Sequence, residues 1–140
     1  MSRRAVLAAA AAACVALGAA VGGCGHGTGS GERTVTLTVH HSQFSVADLH
    51  VRPGQTVRFV VHNTDPIAHE LIVGDQSVQD AHEVGTDASH GGRPGEISVP
   101  PGTTATTTYR FGPSGGPAVL FGCHLPGHWA YGMHGTITVA

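Results

Sequence analysis

From Thr34 the chain alternates: Val35, Leu37 and Val39 fall on one side, and Thr34, Thr36, Thr38 and His40 on the other. That period of two marks a half-buried β-strand. A second run covers Phe44–Val51 and stops at the turn signal Arg52-Pro53-Gly54-Gln55. Alternation resumes with Val57, Phe59 and Val61 and closes at Asn63-Thr64-Asp65-Pro66, and Leu71–Val73 is a short apolar run. Residues 74–96 are polar and glycine-punctuated, which predicts either a functional excursion or a small helix around Val78–Glu83. Ile97-Ser98-Val99, a Thr-rich strand over Thr103–Phe111, Val119–Cys123 and Gly135–Val139 complete the set. Seven to eight short strands separated by turns, with no long amphipathic helix, predict an all-β sandwich.

The N-terminus follows other rules. Ser2-Arg3-Arg4 is basic, Ala5–Val21 is apolar and alanine-dominated, and Gly22-Gly23-Cys24 supplies small residues at a cleavage point. The apolar run is too short and too weakly hydrophobic to span a bilayer. Val21-Gly22-Gly23-Cys24 resembles a bacterial lipobox, which implies removal of residues 1–23 and lipidation of Cys24. The expected organisation is a lipoprotein signal over 1–23, a Gly-rich tether over 24–33 and one domain over 34–140. The protein is then exported and held at the outer face of the cytoplasmic membrane. An ordinary secretory signal, giving a secreted or periplasmic protein, is the alternative, and Ser2-Arg3-Arg4 also loosely resembles a twin-arginine signal.

A length of 140 residues suits one domain. All seven basic residues are Arg, and without Arg3 and Arg4 the chain carries nine acids against five Arg, a net charge of -4. No basic stripe exists, so nucleic acid is not an expected partner. No persuasive carboxylate pair, phosphate-binding loop or nucleophilic serine motif is present, and an enzyme is not expected. The outlier is histidine: eleven residues, which point toward metal chemistry.

Cys123-His124-Leu125-Pro126-Gly127-His128-Trp129-Ala130-Tyr131-Gly132-Met133 spaces a thiol, an imidazole and a thioether five residues apart. By parity Val119, Phe121 and Cys123 share one strand face, and Met133, Ile137 and Val139 share the core face of the next. Pro126-Gly127 can fold His128 back over the same point. His69, which follows a core strand and its turn, supplies a further donor. His69, Cys123 and His128 in a plane with Met133 as a weak axial donor make a soft set suited to copper. Zinc accepts a Cys and two His but prefers a stronger fourth donor than a thioether.

These residues resemble the cupredoxin family, the type 1 blue copper proteins of the plastocyanin, azurin and pseudoazurin kind, over about residues 34–140. Arg52-Pro53-Gly54-Gln55-Thr56-Val57 with Phe59 and Asn63 resembles the approach to the family's first His ligand. Cys123, Pro126-Gly127-His128 and Gly132-Met133-His134-Gly135-Thr136-Ile137 resemble its closing hairpin. The resemblance implies a Greek-key β-sandwich with one type 1 copper per chain on His69, Cys123, His128 and Met133. It also implies a monomeric one-electron carrier whose redox partners dock transiently near His128, on an apolar patch of Leu125, Pro126, Gly127 and Trp129.

Within the family, His69-Glu70-Leu71-Ile72-Val73-Gly74 together with Cys123-His124-Leu125-Pro126-Gly127-His128 is most similar to bacterial cupredoxins linked to copper handling as well as electron transfer. Copper sequestration in homeostasis therefore stands as the alternative; the lack of a Met-rich tract favours the carrier. Glu70 departs from the Asn or Ser with which small electron carriers tie their two ligand loops together. His124 reads as a surface histidine rather than a ligand of a second copper. His40, His41, His50, His62, His82, His90 and His134 read as solvated, with His82, Glu83 and His90 the candidates for an auxiliary metal site.

Overall fold

The computed structural model describes residues 31–85, 92–113 and 116–140, so Cys24, its signal segment and His90 lie outside the described residues. Among the described residues nine strands and one helix follow in order: β1 (Arg33–His40), β2 (Gln43–Phe44), β3 (Asp48–Val51), β4 (Thr56–Asn63), β5 (His69–Gly74), α1 (Gln76–Glu83), β6 (Glu96–Val99), β7 (Thr104–Arg110), β8 (Val119–Gly122) and β9 (His134–Val139). They form two sheets of order β2-β1-β4-β7 and β3-β9-β8-β5-β6. The pairs β1–β4 and β3–β9 are parallel and the others antiparallel. Both sheets turn their alternate residues into one core, with Val35, Leu37, Val57, Phe59 and Val61 meeting Leu71, Val73, Ile97, Phe121 and Ile137. This is the expected β-sandwich, with nine strands where seven to eight were counted.

The extra strand comes from the run Phe44–Val51, which divides between the sheets. Phe44 pairs with Val39 in one sheet, whereas Leu49 pairs with Ile137 in the other. The side chains that face the core change phase there, from Phe44 and Val46 to Leu49 and Val51. The β1–β2 hairpin closes through His41 and Ser42, both left-handed at φ 52° and 54°. Positive φ at both central residues matches the right-handed twist of the strands. It also costs a residue with a Cβ some energy.

The segment after β5 forms the small helix. Asp75 caps it, accepting from the Ser77 and Val78 N–H groups at 3.0 and 3.2 Å. The helix lies over the outer face of the second sheet, so every residue of β5 is buried: His69, Leu71 and Val73 toward the core, Glu70 and Ile72 toward α1. Its own buried residues are polar, Gln79 and His82. An apolar stripe never marked this helix, because its inner face satisfies backbone and side-chain acceptors instead. Gln79 Nε2 lies 3.3–3.4 Å from the carbonyls of Ile72, Gly74 and Leu120.

Candidate metal centre

Two loops at one end of the sandwich carry the site. In the first, Asn63 ends β4 and is buried, with Nδ2 donating toward the carbonyls of Ile67, Val99 and Pro100 at 2.8–3.1 Å. Its Oδ1 accepts the Asp65 N–H at 2.9 Å. One amide thereby organises the turn that delivers His69 to the start of β5. The second loop joins β8 to β9. Pro126 and Gly127 occupy the centre of a turn closed by the His128 N–H on Leu125 O at 2.9 Å. Gly127 has φ 83°, the left-handed conformation that the third residue of a type II turn requires. The Met133 N–H donates to His128 O at 3.0 Å and the Cys123 N–H to Met133 O at 3.1 Å, so the loop's backbone sets Met133 between the other two residues.

His69, Cys123 and His128 bring one donor atom each to within 4.8 Å of the others, the only such group of His, Cys, Asp or Glu among the described residues. Cys123 Sγ lies 3.2 Å from His128 Nδ1. The His69 and His128 rings are 4.9 Å apart. Cys123, His69 and Met133 are fully buried or nearly so, and His128 is half-buried. His69 Nε2 faces Asp65 Oδ2 at 3.0 Å. His69 Nδ1 is the one buried side-chain nitrogen or oxygen among the described residues without a hydrogen-bond partner. A buried lone pair left bare is costly unless something else takes it. The donors around it are a thiol, a second imidazole and a thioether at the next backbone step, which suits copper better than harder ions.

The electrostatics fit a metal that binds as a displacement of protons. Burial pushes the Cys123 thiol up to about 11, against the pull of the Leu125 and Glu70 backbone N–H groups. Burial also holds His69 below the ordinary histidine range, while Asp65 pulls the other way. Both the thiol and the imidazole are uncharged at neutral pH. Burial would raise Asp65, but N–H donation from Ser42, His41 and His69 outweighs it and keeps this residue a carboxylate.

Glu70 makes the tie between the ligand loops that its residue type had left in doubt: its Oε1 accepts the His124 N–H at 2.7 Å. His124 itself corrects the surface reading. It is buried, with Nδ1 2.8 Å from Glu83 Oε2 and Nε2 2.8 Å from Gln79 Oε1. Its ring stacks on Trp129 at 4.6 Å and 13°. Helix α1 covers this side of the sheet, and that cover was not visible in the alternation of the strands. His82 is likewise buried rather than solvated, with Nδ1 2.8 Å from Val78 O and Nε2 3.7 Å from Glu96. Glu83 turns to His124, and His90, the third candidate for an auxiliary metal site, lies outside the described residues. Trp129, half-buried like Leu125 and His128, has a structural role of its own. It lies flat over Gly122, where any Cβ would fall 2.3 Å from the ring, and is sandwiched between His124 and His134.

A buried thiol and two imidazoles converging at one pole of a two-sheet β-sandwich are the features of a copper-binding β-sandwich protein. The chain matches the plastocyanin/azurin family of copper binding proteins over residues 32–140, and it belongs to that family. Among curated proteins it is similar to the copper-resistant cuproprotein CopI of Rubrivivax gelatinosus, 33% identical over 113 residues, covering 77% of this chain and 67% of that protein. CopI of Pseudomonas aeruginosa is 27% identical over 139 residues, covering 76% of each. Of the solved structures, reduced auracyanin from Roseiflexus castenholzii shares the fold with a TM-score of 0.62 at 23% identity, over 76% of this chain and 96% of that one. Auracyanin A from Chloroflexus aurantiacus does so at 0.58 and 23%, over 79% and 100%. The protein is a cupredoxin that binds one copper.

Proposed function

We propose that this cupredoxin holds its copper as a type 1 site on His69, Cys123 and His128, with Met133 as the weak axial ligand, and that it acts as a one-electron carrier outside the cytoplasm. The observation that carries this reading is the convergence of the buried thiol with the bare His69 Nδ1 and a half-exposed His128. A copper ion held there supplies a Cu(II)/Cu(I) couple. The chain's own part is to fix the donors on two braced loops and to keep water out. Because His128 is the ligand nearest the surface, partners dock transiently around it. Ile67 from one ligand loop and Pro126 and Tyr131 from the other are exposed there.

The CopI relatives favour a second reading, a role in copper resistance. The two differ in capacity and in what happens on reduction. A carrier binds one copper tightly per chain and cycles between oxidation states without losing it. A copper titration, followed by repeated reduction and oxidation under a competing chelator, is expected to give a stoichiometry of one and full retention. Two or more tight coppers, or loss of metal on reduction, would instead support sequestration or delivery.

The anchoring proposal rests on Cys24 at the end of Val21-Gly22-Gly23-Cys24. Lipid on that residue ties the domain to the outer face of the membrane through the Gly-rich tether. Cys24→Ala is expected to move the protein from the membrane fraction to the soluble fraction. Undiminished membrane association of the variant would overturn the lipoprotein reading.

A further inference from the structure

Asp65 stands four residues before His69, buried at 5% exposure, and neither its charge nor its position is required by the strand pattern. Its two oxygens gather three donors from two parts of the chain. Oδ1 accepts the His41 N–H at 2.7 Å, and Oδ2 accepts the Ser42 N–H at 2.7 Å and faces His69 Nε2 at 3.0 Å. The first two belong to the β1–β2 turn, whose residues are both left-handed and both carry side chains. A buried carboxylate that accepts both amide protons offsets the energy of that conformation. The third contact bears on the metal centre. A carboxylate at Nε2 keeps the imidazole proton there and leaves the lone pair on Nδ1, the nitrogen without a hydrogen-bond partner among the described residues.

We infer that Asp65 is a positioning residue for copper, fixing His69 in the Nε2–H tautomer with Nδ1 bare, and that the same carboxylate locks the β1–β2 turn to this ligand. The inference rests on the reading of His69 as a copper ligand. Carboxylates that orient a metal-binding histidine set both its ring angle and its basicity. Here the carboxylate is itself held by the two amides of the β1–β2 turn, so the acceptor that holds Nε2–H stays in place. The buried negative charge one imidazole away from the metal also favours the more highly charged oxidation state.

The test combines a metal-free readout with a copper readout. In metal-free protein, the ¹⁵N shifts of His69 are expected to report a single Nε2–H tautomer, and Asp65→Ala is expected to give a mixture of tautomers. With copper, Asp65→Ala is expected to weaken Cu(II) binding by about 10–100-fold. Asp65→Asn, which removes the charge and keeps an acceptor, is expected to raise the reduction potential. A background carrying His41→Gly and Ser42→Gly separates the two tasks, since glycine adopts the left-handed turn without support. If Asp65 acts through His69, Asp65→Ala weakens copper binding as much in that background as in the wild type. If the loss vanishes there, or if the tautomer and affinity are unchanged by Asp65→Ala, the inference is wrong. A wild-type protein without a thiolate-to-copper band would overturn the ligand reading instead, and the metal-free tautomer would still decide whether Asp65 fixes His69.

Discussion

Cys123→Ser abolishes the intense visible absorption expected of the Cu(II) protein and flattens the pH dependence of copper binding. The colour arises from charge transfer out of the thiolate, and Cys123 is the only free thiol among the described residues. The pH dependence follows from the same atom. Burial raises the thiol to about 11, so in metal-free protein it stays protonated across the neutral range. Copper takes it as the thiolate and expels the proton. Apparent affinity should therefore rise about tenfold per pH unit between pH 7 and 10, levelling off as the free thiol itself ionises near 11. The serine variant has no proton to lose in this range and should lack that slope. Absorption spectra and chelator competition across pH measure both effects, and a colourless wild type or a pH-independent affinity would refute the thiolate assignment.

Gly135→Ala should be the most damaging single methyl in the fold. A Cβ at this position would fall 2.3 Å from the Ala47 carbonyl oxygen and 2.3 Å from Phe121 Cζ. Neither can step aside: the Ala47 carbonyl accepts the Thr136 N–H at 2.8 Å, and Phe121 is fully buried. Overpacking typically costs about 1–3 kcal/mol, and two contacts this short against atoms that are held in place put Gly135→Ala at the upper end. In a domain of this size that lowers the unfolding midpoint by roughly 10–15 °C. Calorimetry of the metal-free protein reads it directly, and a midpoint within about 2 °C of the wild type would show that the strands can part there at little cost.

The convergence of Cys123 and His128 was legible because they sit in a short motif whose spacing and parity fix their direction. Cys123 and Met133 follow from the alternation of two strands, and Pro126-Gly127 announces the turn that returns His128. His69 was legible from its place after a core strand. The division of Phe44–Val51 was also present, as a phase change between Val46 and Leu49, but a continuous apolar run conceals it. What lay beyond reading was the burial of polar residues. Asp65 in Asn63-Thr64-Asp65-Pro66 has the composition of a solvated turn, and only the docking of the His41–Ser42 turn encloses it. The burial of His124 and His82 was hidden because a helix whose inner face is Gln79 and His82 has no hydrophobic period to betray it.

The pairing of β3 with β9 has a consequence for the order in which the protein is made. Asp48 meets Thr136 and Val51 meets Val139 across nearly the whole domain, so the second sheet cannot close until the C-terminal strand arrives. Contacts so distant in sequence form slowly, because a long loop must be closed before they return any stabilisation. Cys123, His128 and Met133 all reside on that last hairpin, whereas His69 and its Asp65 support are synthesised well before it. During synthesis the nascent chain holds one of the four converging residues before Cys123, His128 and Met133 are made. The set of four converging side chains is therefore complete only once the last hairpin has been made and packed.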